Sequence, residues 1–196
     1  MVKCLILDQD GTLYPRDHPL ILETRRRTKQ WIIDSTDYRW ETIEGLYERL
    51  QKEYPNPLDG FTSIGLRVED YHGVFNSIDP REFLKKDFRL RRTLEELEVP
   101  IFVVTFAPHG YSEDVQSALG VSDLIDKTYS VVDIPGNHHK KPIYKLILRE
   151  QKLYPSGVLV VGDSYDNDVL PATELGCRGI LIPDDIRSIY ELQKCI

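Results

Sequence analysis

Cys4-Leu5-Ile6-Leu7-Asp8-Gln9-Asp10-Gly11-Thr12-Leu13 decides how the chain is read. Four apolar residues without helical periodicity suit a strand buried on both faces of a parallel sheet, and Gly11 marks a sharp turn at its exit. Open α/β sheets bind ligands at the carboxyl ends of their strands, which is where Asp8 and Asp10 fall. Two carboxylates so close repel when both are ionised, so either a cation sits between them or one keeps its proton. Asp-Gly is also a hairpin signal, and for this stretch alone a tight turn is the competing reading.

Downstream of it, residues from about Tyr14 to about Asp87 show no strand-like apolar run. Leu20-Ile21-Leu22, Trp31-Ile32-Ile33 and Trp40, Ile43, Leu46, Tyr47, Leu50 recur near helical spacing, with breaks at Pro55-Asn56-Pro57 and Asp59-Gly60. Trp31, Tyr38 and Trp40 read as the small core of a helical module. The Arg25-Arg26-Arg27 run reads as the solvated face of an amphipathic helix, with no function assigned.

From Phe88 onward, strands and helices alternate. Leu90–Glu98 reads as a helix, Ile101–Val104 as a buried strand ending at Thr105, and Ser112–Leu119 as a short helix closed by Gly120. Next come a strand over Thr128–Ile134, a helix over Ile143–Lys152 opened by Pro142, and the strand Val158–Val161 ending at Gly162-Asp163. A helix over Tyr165–Leu175, the strand Gly179–Ile182 and a helix near Ile186–Gln193 complete the order. This predicts a doubly wound, Rossmann-like α/β core from residues 1–13 and 88–196 with a parallel sheet. About seventy helical residues between the first two strands exceed what a connection needs, so 14–87 is expected to be an inserted helical cap.

With 196 residues, 41% of them hydrophobic and 29% charged, the chain has the composition of a water-soluble globular protein. A net charge of -7 argues against a broad surface for nucleic-acid polymers or membranes, while a locally positive pocket for a small anion stays open. Cys4, Cys177 and Cys195 have no metal-ligand spacing and fit reduced thiols. The N-terminus carries no signal-peptide pattern and no apolar stretch is long enough to span a bilayer, so the expected location is the cytoplasm.

Polar residues then stand at the ends of separate apolar strands or at a helix start: Asp8 and Asp10, Thr105, Lys141, and Asp163 with Asp168. DQDGTLYP, VVTFA, KKP and VVGDSYDND, in that order, resemble the four motifs of the haloacid dehalogenase-like superfamily of phosphohydrolases. The resemblance implies that Asp8 is a nucleophile that becomes an aspartyl phosphate and that Asp10 is the general acid and base. It implies that Thr105 and Lys141 hold the phosphoryl oxygens. Mg²⁺ would be bound by Asp8, Asp163 and the backbone carbonyl of Asp10, with Asp168 supporting the metal site or the lysine. Lys140 and Lys141 compete for one role, and the family pattern, with lysine directly before proline, assigns it to Lys141.

These residue types suit the chemistry independently. A carboxylate splits hydrolysis into two steps as a covalent nucleophile, and phosphoryl transfer asks for positioning and charge compensation, which Mg²⁺, an ammonium and hydroxyl donors supply. Each motif alone has a bland alternative: Asp163-Ser164 as a helix cap, Asp166 and Asp168 complementing a helix dipole, Lys141 as an exposed lysine. His138-His139 is read as an exposed loop rather than a metal site.

Asp10 favours a phosphatase over the dehalogenase branch, where a second acid is not required. Gly60–Arg67, Tyr71-His72-Gly73, Leu84–Leu90 and Leu13-Tyr14-Pro15 resemble the pyrimidine 5′-nucleotidase subgroup. That implies a small phosphorylated metabolite, such as a nucleoside 5′-monophosphate, contacted by Arg67, Tyr71 and His72. Phe106 departs from the family, whose members usually carry Asn after the Thr. A sugar-phosphate or phosphoglycolate phosphatase, a phosphomutase and a catalytically silent binding module are the alternatives.

Overall fold

The computed structural model describes residues 2–196. Its strands are β1 (Cys4–Leu7), β2 (Ile101–Thr105), β3 (Lys127–Ser130), β4 (Val158–Gly162) and β5 (Arg178–Leu181). They form one parallel sheet in the order β3-β2-β1-β4-β5. β1 lies at the centre, with Leu5 in register with Ile101 on one side and Leu159 on the other. Cys4, Leu5, Ile6 and Leu7 are wholly buried, as an apolar run with helices on both faces of the sheet requires. The chain winds outward to β2 and β3 on one side of β1 and to β4 and β5 on the other. That reversal makes the crevice at the carboxyl ends of β1 and β4 the topological switch point, the place where such sheets bind ligands.

Helices α1 (Pro19–Ser35), α2 (Trp40–Glu53) and α3 (Pro57–Ser63), followed by 3-10 turns at Val68–Val74 and Pro80–Glu82, occupy the interval before α4 (Phe88–Glu95). The prolines explain two of the starts: Pro19 and Pro57 need no N–H at the first helical positions, and His18 Nδ1 and Asn56 Oδ1 accept from Leu20 N and Leu58 N. The apolar stripes Leu20, Ile32 and Ile43, Leu46, Leu50 are buried in the same contiguous cluster as the sheet. Trp31 packs on Phe61 and Tyr71, as the core of a helical module should. Trp40 instead opens α2 and is half exposed.

After β2 come α5 (His109–Leu119), α6 (Lys141–Glu150) and α7 (Leu170–Thr173). Gly120 closes α5 at φ +74°, a conformation that costs other residues energy. Three boundaries differ from the sequence reading. β3 stops at Ser130, because Asp133-Ile134-Pro135-Gly136 turns the chain and Asp133 accepts from His109 N at 2.8 Å. Residues Tyr165–Val169 form a π turn ahead of α7; Pro171 lacks the N–H that regular α-helical bonding would use there. The last segment, Ile189–Cys195, is a 3-10 helix. Among the described residues, no helix is long and apolar enough to cross a membrane.

Candidate active site

Asp8 N donates to the Val161 carbonyl at 2.9 Å, extending the β1–β4 ladder one residue and delivering the Asp8 side chain to the switch point. Thr12 and Leu13 N then both donate to the Gln9 carbonyl, closing a turn through Gly11 at φ +88°. A Cβ at Gly11 would run into the Asp163 carboxylate, so glycine serves both the turn and the close approach of β4. Thr12 Oγ1 donates to Asp8 Oδ2 at 3.2 Å. Gln9, between the two acids, is wholly buried and accepts from Ser112 Oγ at 2.5 Å.

Asp10 accepts a hydrogen bond from the Tyr14 hydroxyl. Burial, above all, pushes the Asp10 carboxyl up to about 6, with the charge of Asp8 adding to it and the Tyr14 bond opposing it. A pKa in that range brings its proton exchange closer to neutral pH than that of an ordinary carboxylate. Thr105, at the end of β2, is buried, and its hydroxyl oxygen accepts from Ala107 N at 3.1 Å, leaving its own hydrogen free to donate.

Lys140, not Lys141, enters the site. Its ammonium stands 2.5 Å from Asp8 Oδ1 and 2.7 Å from Asp168 Oδ1, whereas Lys141 is on the surface, 2.7 Å from Glu174. This corrects the assignment made from the proline pattern. The reason is helical phase: Ile143, Tyr144 and Ile147 form the buried stripe of α6, and Lys140 lies three, four and seven residues before them. That periodicity was legible in the sequence. Burial opposes the charge on Lys140, but Asp168 and Asp8 hold its pKa well above the usual lysine range. The Phe106 ring lies 5.2 Å from the ammonium and presents its electron-rich face to it.

Asp168 is buried and fully engaged: Oδ1 takes Lys140, and Oδ2 accepts from Ser164 N at 3.0 Å. It thus positions the lysine, one of the two roles foreseen for it. Asp163 receives the guanidinium of Arg16, a residue that sequence reasoning passed over, on both its carboxylate and its carbonyl. Burial raises the Asp163 carboxyl, Asp8 adds to the rise, and Arg16 opposes it.

One carboxylate oxygen each from Asp8, Asp163 and Asp168 lies within 4.8 Å of the others. This hard-oxygen cluster, drawing cationic side chains from two directions, fits a divalent cation such as Mg²⁺, for which Asp8 and Asp163 are the available carboxylates. The Asp10 carboxylate is not part of the cluster; only its carbonyl remains a candidate ligand.

A cavity of about 430 Å³ opens above Asp10, Arg16, Asp163 and Ser164 and is walled by α1, α2 and α3. Tyr71 lines it, alongside Tyr47, Tyr54 and Phe61. Arg67 and His72 do not. Arg67 lies beside Glu69 and Asp70 on the surface, and His72 Nε2 is 2.6 Å from Asp133, so the expectation that they contact substrate is corrected. His138 is not a free loop residue either: its Nδ1 lies 2.9 Å from Asp59 on α3. The arginine run divides, with Arg26 and Arg27 pairing with Glu23 and Arg25 facing the cavity.

A family model for haloacid dehalogenase-like hydrolases matches residues 2–176. The chain belongs to that family. No match was found among curated proteins. Among solved structures, a haloacid dehalogenase-like family hydrolase from Streptococcus pneumoniae superposes with a TM-score of 0.65 at 18% identity, over 98% of this chain and 90% of its own. A HAD phosphatase from Thermococcus onnurineus gives 0.63 at 19% identity, over 99% and 97%. A 2-haloacid dehalogenase from Pseudomonas syringae gives 0.57, also at 19%, over 99% and 97%. At such identities the neighbours share the haloacid dehalogenase-like fold, and their individual activities do not transfer to this member.

Proposed function

We propose that this haloacid dehalogenase-like hydrolase is a Mg²⁺-dependent phosphatase of small phosphate monoesters, with residues 14–87 acting as a cap over the site. The observation that carries the reading is Asp10. It is a second carboxyl beside the nucleophile, half-buried, hydrogen-bonded by Tyr14 and raised by its surroundings to about 6, so that it can give and take a proton, which displacement of a halide does not require and departure of an alkoxide does.

In this reading an Asp8 carboxylate oxygen attacks phosphorus, the bond from phosphorus to the ester oxygen breaks, and Asp10 gives its proton to the departing oxygen. Asp10 then takes a proton from water as the water oxygen attacks the phosphoryl-Asp8, releasing inorganic phosphate and restoring both carboxyls. Lys140 and the Thr105 hydroxyl compensate charge on the transferring oxygens, and Asp168 holds Lys140 in place. Mg²⁺, held by Asp8, Asp163 and the Asp10 carbonyl, supplies further charge compensation when bound. The expected partner is a small phosphorylated metabolite rather than a nucleic-acid polymer or a membrane.

The test is hydrolysis of p-nitrophenyl phosphate with Mg²⁺, alongside excess EDTA, the Asp8→Asn variant, and 2-chloropropionate with halide release as readout. Asp8-dependent phosphate release without halide release is expected, with Asp8→Asn at least ~10³-fold slower because an amide cannot form the acyl phosphate. Halide release alone would transfer the chain to the dehalogenase branch, and neither activity would make it a binding module.

A further inference from the structure

We propose that Arg25 forms a subsite for a second anionic group, carboxylate or phosphate, on the leaving group of the ester. This rests on the phosphohydrolase reading and narrows its substrate class. Ile21, Thr24, Arg25 and Thr28 of α1 line the cavity; Ile21 and Thr28 are buried on the inward face of the helix, and Arg25 stands beside them, exposed. Arg25 thus borders the cavity while its side chain stays open to solvent.

The charges around it are unequal. Asp10 and Asp163 are the only acidic residues among those lining the cavity, and both belong to the catalytic floor. Asp163 is matched by Arg16. Arg26 and Arg27 are matched by Glu23, at 2.7 Å each. Arg25 makes no ion pair or hydrogen bond with any described residue. Tyr47 lines the same cavity, and the charge of Arg25 pulls down the Tyr47 hydroxyl pKa that burial raises.

An uncompensated guanidinium facing an aromatic-walled cleft, with its planar fork of donors, is suited to a planar carboxylate or a phosphate. In the proposed reaction the phosphoryl group sits by Asp8 and Asp10, and Asp10 and Arg25 line the same cavity, so a second anion on the leaving group would be offered to Arg25 there. A nucleoside monophosphate carries no such second charge.

The experiment compares matched esters with the purified protein and Mg²⁺: phosphoglycolate against 2-hydroxyethyl phosphate, and propane-1,3-diol bisphosphate against 3-hydroxypropyl phosphate, with UMP and p-nitrophenyl phosphate alongside. Wild-type kcat/KM should favour the anionic member of at least one pair by tenfold or more, and the favoured pair identifies carboxylate or phosphate. Arg25→Ala should lower kcat/KM for that anionic ester at least tenfold more than for its neutral match, and Arg25→Lys should restore part of the difference. Ratios within twofold in both pairs, equal losses of anionic and neutral esters in Arg25→Ala, or UMP surpassing every anionic ester tenfold would overturn the subsite. Each of these outcomes leaves the phosphatase standing if p-nitrophenyl phosphate turns over through Asp8; no Asp8-dependent hydrolysis of any ester removes both.

Discussion

Lys140 Nζ lies 2.5 Å from Asp8 Oδ1, while the neighbouring Lys141 turns away to Glu174. Two adjacent residues at a helix start point about 100° apart, so only one can enter the site. Lys140→Met should therefore lower kcat by at least ~10², in line with losing a preorganised electrostatic contact, and Lys141→Ala should stay within about twofold of wild type. The first variant also strands two buried carboxylates, at a cost of about 3–5 kcal/mol. Adding Asp168→Asn should recover part of the melting temperature and none of the activity. The reverse ranking of the two lysine variants would return the role to Lys141.

Asp10 gives a pH signature. The proposed leaving-group step uses its protonated form, so kcat for an alkyl phosphate should fall as pH rises through the Asp10 pKa, raised by burial to about 6. The Tyr14 hydrogen bond favours the carboxylate. In Tyr14→Phe the pKa should rise further and the fall in kcat move to higher pH. Steady-state profiles of the two proteins check this, and an unmoved or downward-shifted limb contradicts the donor role. Asp10→Asn should cost roughly 10²–10⁴ with alkyl phosphates and less with aryl phosphates, whose leaving groups need no proton.

For the metal, activity should vanish in excess EDTA and return with Mg²⁺. Asp163→Ala, which removes a ligand and a charge from the cluster, should raise the Mg²⁺ concentration needed for half-maximal rate. Titration of rate against Mg²⁺ measures it. Full activity of the dialysed wild type in EDTA would eliminate the metal from the reaction.

Gly162 ends β4 where a Cβ would meet the Asp168 side chain. Gly162→Ala should destabilise the fold by about 1–3 kcal/mol through overpacking, read by urea denaturation. Its activity should fall more steeply than its stability, because the displaced carboxylate is the one that holds Lys140. Wild-type stability and turnover together would show that β4 can shift without cost.

Much of this architecture is local in origin. Cys4–Leu7, Ile101–Thr105 and Val158–Gly162 announce buried parallel strands because a strand covered on both faces has no polar positions to spare. Pro19, Pro57 and Gly120 mark helix ends through their own backbone restrictions. The carboxylates of the DQDGT stretch and of Asp163 were placeable for the same reason, since each directly follows such a strand.

Arg16 was passed over, and Tyr14 and Phe106 were noted without a role, because their partners lie on other segments or across a turn, and their significance depends on three-dimensional proximity to Asp163, Asp10 and Lys140. Arg67 and His72 seemed eligible by type, yet both face away from the cavity. Arg25 is exposed, as a solvated arginine should be, and the packing of α1 with α2 and α3 also sets it at the cavity.

The sequence by itself determined the strand and helix periods, the parallel sheet and the acidic residues at its carboxyl edge, because burial pattern and backbone restriction act over a few neighbouring residues. Three-dimensional packing selects which lysine meets Asp8, which arginine meets Asp163 and which residues of the 14–87 segment face the cavity. Those choices turn on the rotation of each helix about its axis and on segments more than a hundred residues apart, as Arg16 and Asp163 are, and local propensity carries no information about either.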